Sequence, residues 1–296
     1  MIKNTLTFAS GNAKLSKDTA ILSLPAGHTC PFAKECRSHA DRVTGKIVDG
    51  KHCQFRCYAA SAENLFPNVR KSRWQNFELL RQHKTAIGMA NLLENSLLRK
   101  KNIKLVRFHQ SGDFFSQAYF DAWLILAQQH PELTIYGYTK ALPFWAKRLN
   151  LIPANFKLVA SRGGTHDHLI DLLGLRSVKV VFTEKEAADA GLELDHDDTH
   201  VWKYDKSFAI LLHGNQPAGS TAGKALYKLR KEKKGGYKSD YFAHYKGGKK
   251  TVKVKSFKGI PIINGKPIDP KLITAVQSAS ALKMKVSAYK AVGSVK

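Results

Sequence analysis

A chain of 296 residues, 43% of them hydrophobic, has apolar material for one large core or two modest ones. It lacks any run of 18 apolar residues and opens without the pattern of a secretory signal, so neither a membrane span nor export is expected, and a cytoplasmic location is. A formal net charge of +25 points to a phosphate-rich partner, nucleic acid above all.

In chain order, residues 19–24 form an apolar run that predicts a first strand. Residues 27–60 follow and hold every cysteine, Cys30, Cys36, Cys53 and Cys57, spaced C-x5-C-x16-C-x3-C. Helical spacing of apolar residues then covers 61–83, with a break expected at Pro67, whose ring removes a backbone donor. A second helical stretch occupies 84–101 and ends on a basic turn that suits the helix dipole.

Beyond it, short apolar runs at 103–109, 133–138, 156–161, 178–183 and 208–213 alternate with helical segments at 117–129, 143–149, 166–173 and 184–190. That alternation predicts βαβ units with a parallel sheet. The expected fold class is α/β: a partial (β/α) barrel of about six parallel strands over residues 1–213, although an open doubly wound sheet fits the same string.

Residues 214–296 read as a basic C-terminal extension. One basic run holds Lys224, Lys228, Arg230, Lys231, Lys233 and Lys234; another holds Lys246, Lys249, Lys250, Lys253, Lys255 and Lys258. Tyr237, Tyr241, Phe242, Tyr245 and Phe257 interleave, a pattern able to grip a phosphate backbone and stack bases. Asn264-Gly265 between apolar flanks predicts a hairpin turn.

Four clustered cysteines in a reducing compartment indicate metal binding by Cys30, Cys36, Cys53 and Cys57. Structural zinc favours two close pairs; Cys53-x3-Cys57 satisfies this and Cys30-x5-Cys36 is loose. A [4Fe-4S] cluster tolerates wider thiolate spacing, and unligated redox thiols are the third reading. His28, His39 and His52 lie near enough in sequence to replace a thiolate, but read more simply as solvated loop residues.

The segments SLPAGHTCPFAKEC, CQFRCYAA, RFHQSGDFFSQAYFDAW and YGYTKAL resemble the gene-product-eighty-eight domain family of phage- and plasmid-borne proteins. If the chain is phage-encoded, the cytoplasm expected for it is the host's. That family is in turn similar to radical S-adenosylmethionine enzymes, whose cluster loop carries C-x3-C-x2-C with an aromatic residue beside the last cysteine. Cys53 and Cys57 match the first two positions and Tyr58 the aromatic, but Ala60 stands where the third cysteine belongs. The resemblance implies a [4Fe-4S] cluster completed by Cys30, Cys36 or both, S-adenosylmethionine as a second ligand and an electron donor as a partner. Three thiolates would leave one iron open to that ligand, whereas four would close the cluster.

Each predicted strand ends in polar residues, where parallel α/β folds bind ligands. His109, Asp113, Lys140 and Arg162 are candidate catalytic groups, and Ser111, Gly112, Asp113, Ser161 and Arg162 candidate cofactor contacts. Ser111-Gly112-Asp113 reads equally as a turn with a helix cap, and Gly163-Gly164 as an anion cradle or a plain turn. His166, Asp167 and His168 form one polar run; Asp195, His196, Asp197, Asp198 and His200 form another with the composition of a hard-metal or zinc site, though solvated loops look the same. No Walker loop, G-x-S-x-G elbow, H-E-x-x-H helix or kinase signature occurs. The expected function is an iron–sulfur protein, a radical or redox enzyme acting on nucleic acid or a nucleotide. The alternative is a non-catalytic nucleic-acid-binding protein stabilised by a closed cluster or by zinc.

Overall fold

The computed structural model describes residues 4–12 and 15–232, together with the backbone of 262–263 and 266–267. The chain begins with β1 (Ala9–Ser10) and β2 (Thr19–Ile21), followed by the cysteine segment, which carries a small hairpin of β3 (Ser38–Ala40) and β4 (Ile47–Asp49). Three helices follow: α1 (Tyr58–Leu65), α2 (Pro67–Gln82) and α3 (Ala86–Leu97). Pro67 separates the first two as expected, because proline is accepted at the first helical position but not within a helix.

The remaining elements alternate: β5 (Leu105–Arg107), α4 (Gln117–Gln129), β6 (Thr134–Thr139), α5 (Leu142–Ala146), β7 (Phe156–Ser161), α6 (His168–Leu172), β8 (Ser177–Val181) and α7 (Glu184–Asp189). Then come β9 (Glu193–Leu194), α8 (Thr199–Lys203), β10 (Phe208–Leu211) and α9 (Thr221–Lys231). Two further short strands, β11 (Ile262–Ile263) and β12 (Lys266–Pro267), pair antiparallel on either side of the Asn264-Gly265 dipeptide. The lysine and aromatic cluster of 237–258 lies outside the described residues.

The main sheet runs β1-β2-β5-β6-β7-β8-β10-β9. All its pairings are parallel except β1 with β2. The six central strands each lie beside their predecessor, with no reversal of order, so the doubly wound alternative fails. The sheet also does not close into a barrel, since β1 and β9 remain at its two edges.

Side-chain alternation divides the sheet into two faces. Val106, Phe108, Ile135, Leu158 and Ala160 pack with α3 and α4 in the largest core cluster. Leu105, Tyr136, Val159, Val178 and Phe208 point the other way and meet Val201 and Trp202 of α8. The run 194–202, expected as a solvated loop or a metal site, is instead a plug across this second face. Residues 214–231 begin the expected extension, and Leu212, Ala222 and Leu226 share one apolar cluster, so α9 packs directly on the end of β10.

His130 closes the C-terminal end of α4, with Nδ1 3.1 Å from Glu132 Oε1 and Nε2 3.3 Å from Glu94 Oε1. Burial disfavours its charge, but the two carboxylates outweigh that and raise its pKa to about 9. A folded-state pKa above the unfolded value adds stability that is complete below pH ~6.5 and is lost as the pH rises through about 9. Urea titrations across that window should show a loss on the order of 2–3 kcal/mol, and His130→Gln should flatten it.

Candidate functional site

The cysteine segment lies over the C-terminal ends of the strands because three distant parts of the chain hold it there. The N–H groups of Lys34 and Glu35 both donate to the carbonyl of Gly163, and Ala33 forms an antiparallel bridge with Gly164. Arg56 N–H donates to Gln216 Oε1 at 2.7 Å, and Gln216 Nε2 returns a bond to Arg56 O. On the third side, Glu63 Oε1 accepts from Ala26 N–H at 2.9 Å and from Arg73 Nη1 at 2.7 Å, and it lies 3.3 Å from Ser111 Oγ.

Gly112 serves this packing. Its φ is +84°, and a Cβ there would stand 2.5 Å from Thr29 Oγ1 and 2.7 Å from Leu24 Cβ. Ser111 Oγ meanwhile donates to Leu24 O at 2.7 Å. Both residues therefore hold the approach to the cysteines. Gly163 has the same role on the far side: its φ is +91°, and a Cβ would meet Glu35 Oε2 at 2.7 Å.

A cavity of about 470 Å³ opens beneath this lid. Cys30, Cys36 and Cys57 line one end; Arg107, Tyr138, Asp195 and Asp198 line the floor; His109, Asp113 and Lys140 also reach it. Cys53 is not among the lining residues, although it lies near enough to Cys36 to raise that thiol's pKa. All four cysteines are free thiols.

Burial pushes the Cys30 thiol well up, and Asp113, Cys57 and Cys36 push it further. Burial also raises Cys36, while Lys140 works against it. Cys57 is raised to about 11 by burial and by Cys36, opposed by the N–H groups of Ala59 and Ala60, since it is the N-cap residue of α1. These three thiols are thus protonated at neutral pH without metal. Among the described residues no three Cys, His, Asp or Glu side chains are arranged around a single metal ion.

Asp113 stands between the thiols and the floor. Its Oδ1 accepts from Thr139 Oγ1 at 2.6 Å and Phe114 N–H at 2.8 Å, and its Oδ2 from Lys140 N–H at 2.8 Å. Burial raises it to about 6 against those bonds. Lys140 spends its three N–H donors on Ser161 O, Ser161 Oγ and Arg162 O, at 3.2, 2.6 and 2.7 Å, so it props a turn rather than reaching for an anion. His109 adopts φ +55°, and its ring packs among Phe108, Phe114, Tyr119 and Trp123. Burial and the charge of Arg107 lower it to about 3, so it is neutral.

Other candidates fall elsewhere. Arg162 turns away from the cavity, donating to Asp171 Oδ1 at 2.9 Å and Ser177 Oγ at 3.2 Å. The Gly163 and Gly164 N–H groups, read as an anion cradle, are taken by the Asp167 carboxylate at 2.7 and 2.9 Å. Asp195 bonds His200 Nδ1 at 3.0 Å, and Asp198 receives Arg107 Nε at 2.5 Å and Tyr138 Oη at 3.0 Å, so the acidic run is committed to the floor and not to a metal. Sequence reasoning missed Arg107; its one signal was a charge enclosed by apolar residues in the run LVRF.

The fold and the site define an α/β protein with a mostly parallel sheet and a cavity under a cysteine-bearing segment. The chain belongs to the gene product 88 family, whose model matches residues 4–235. It is similar to the Gene 88 protein of Mycobacterium phage L5, 32% identical over 94 residues, and to that of Mycobacterium phage D29, 31% identical over 94 residues. Each match covers 30% of this chain and 39% of the relative. No solved structure matches the chain. Among the described residues no helix is long and apolar enough to cross a membrane.

Because Glu63 is fully buried with Arg73, Glu63→Ala leaves a buried guanidinium without its partner and should cost about 3–5 kcal/mol in urea unfolding. Replacing both residues with methionine should recover most of that loss.

Proposed function

We propose that this chain is an iron–sulfur redox protein that acts on a ligand held in the cavity, in the manner of the radical S-adenosylmethionine enzymes it resembles. The observation that carries the reading is that Cys30, Cys36 and Cys57, from three points of one segment, open onto a ligand-sized cavity at the strand C-termini. A purely structural zinc would not need to face such a cavity. The donor set fits the group: all three are soft thiols, each raises or is raised by another, and a bound cation would favour their thiolates. Thiolates of a cubane ligate different irons and stand farther apart than those around one zinc ion, so the lack of a single-ion arrangement is compatible with it.

On this reading Cys30, Cys36 and Cys57 hold the cluster and Cys53 stands behind Cys36. When bound, the group supplies one-electron chemistry beside the cavity. The chain's own residues bind and orient the ligand: Asp113 presents a carboxyl close to the thiols, and the cysteine segment covers one side of the cavity. S-adenosylmethionine is the expected second ligand.

The surface around the mouth suits nucleic acid. On α9, Lys224, Tyr227, Lys228 and Lys231 are exposed on one face, with Tyr227 71% exposed among the lysines. The helix follows directly from the 213–216 loop that braces the cysteine segment, so a bound strand would pass close to the cavity.

Protein purified without oxygen should carry iron and sulfide in near-cubane proportion. Cys30→Ser, Cys36→Ser and Cys57→Ser should each lose it, and Cys53→Ser should retain most. Loss of iron in Cys53→Ser as well would mean a closed cluster, and one zinc without iron would leave a zinc-stapled binding protein. Charge reversal at Lys224, Lys228 and Lys231 should weaken DNA binding and lower the slope of log K against log salt by about 0.7–0.9 for each phosphate that is no longer neutralised.

A further inference from the structure

The floor of the cavity is a second polar site that neither the cysteines nor Asp113 uses. Arg107 rises from the end of β5 and is 6% exposed. Its Nε donates to Asp198 Oδ2, while its Nη1 is buried and makes no hydrogen bond. Such an orphan donor costs about 1–3 kcal/mol unless something accepts from it. Asp198 has φ +66°, a conformation non-glycine residues rarely adopt, and His109, the other strained residue at the cavity, has φ +55°. Strain of this kind persists where the surroundings impose it, and here both residues face the same space.

The charges decide what the floor accepts. The Arg107 guanidinium is paired with Asp198 and lies 5.1 Å from the centre of the Tyr138 ring. Tyr138 Oη is 3.0 Å from Asp198 Oδ1 and 3.5 Å from Asp195 Oδ2, and Asp195 pairs with His200. Each cation thus already faces a carboxylate, so a phosphate or carboxylate would meet no uncompensated charge and two nearby anions. A neutral polar group meets an N–H donor at Arg107 Nη1 and the carboxylate of Asp195, whose Oδ2 lies 3.5 Å from Tyr138 Oη. Above the floor the walls are Val178, Val180, Ile210 and Leu212, with the tilted Tyr58 and His213 rings 4.6 Å apart beside them. These walls suit a flat ring rather than a chain of hydroxyls.

We propose that the floor around Arg107, Tyr138 and Asp195 is the substrate subsite and that it takes a nucleobase, with a ring acceptor on Arg107 Nη1 and a ring or exocyclic N–H on Asp195. This rests on the proposed function only in treating the cavity as the place where substrate binds; no contact here involves the cluster.

The test is titration of the full-length chain, purified without oxygen, with guanosine, cytidine and thymidine. Adenosine is left out because S-adenosylmethionine carries that base, and ribose 5-phosphate is the control without a base. At least one nucleoside should bind saturably and ribose 5-phosphate should not. Arg107→Met combined with Asp198→Asn, which removes both charges of the buried pair together, should weaken the binding roughly 5- to 150-fold, the range for one good base contact. If that variant fails to fold, Ile210→Trp, which fills the wall, decides: abolished binding upholds the subsite and unchanged binding overturns it. Failure of all three nucleosides, equal binding of ribose 5-phosphate, or unchanged affinity in the folded double variant overturns it also. Iron assayed on the same preparations separates the two readings. Iron-free protein that binds a nucleoside through Arg107 removes the cluster and leaves the subsite, whereas iron-loaded protein that binds none removes the subsite alone.

Discussion

A single buried carboxylate organises the approach to the cavity. Glu63 has no exposed surface, and it holds the start of the cysteine segment at Ala26, the turn after β5 at Ser111 and the guanidinium of Arg73 on α2. Arg73 also donates to Ala59 O, and Arg70, one turn earlier, donates to Glu63 O, Arg42 O and Val43 O. The corner between α1 and α2 thereby fixes both ends of the lid, Ala26 before the first cysteine and Ala59 after the last. In a dry interior such an ion pair gains little over apolar packing, but either partner alone is very costly, so the geometry is held by the penalty for leaving it.

Above that brace, the cavity separates two kinds of chemistry. Its upper end is lined by three thiols that burial and mutual repulsion keep protonated, a state that a thiophilic cation would reverse. Its floor is a compensated set of charges in which Arg107 remains protonated, because Asp198 outweighs the cost of burial. Asp113 lies between the two, bonded to Thr139 and to the backbone of Lys140, and links the loops after β5 and β6.

Elements with strong local patterns were legible in the sequence. β7 and α4 begin and end where their apolar periods do, and Pro67 divides two helices because its ring permits no other arrangement. Strand order was not legible: alternating strands and helices are common to open and closed sheets, and only spatial neighbours distinguish them. The β3–β4 hairpin escaped notice because its three-residue strands are too short to show a period. The plug at 194–202 was hidden for a different reason: Asp195 and Asp198 look like solvated loop residues until Arg107, about ninety positions before Asp198, is placed beside them. The cysteines were readable as a group, but that three of them share a cavity and Cys53 does not is a property of the folded lid.

The anchoring of that lid has a consequence for the order of events in the cell. Gly163 receives Lys34 and Glu35, and Gln216 clasps Arg56 from 160 positions away. Synthesis runs from the N-terminus, so the four thiols emerge first, and the groups that gather them arrive more than a hundred residues later at Gly163 and Gln216. Long-range closures of this kind form late. Any metal cargo would therefore be received only once the chain has been made as far as Gln216, and until then the cysteines are open to whatever oxidants or metals surround them.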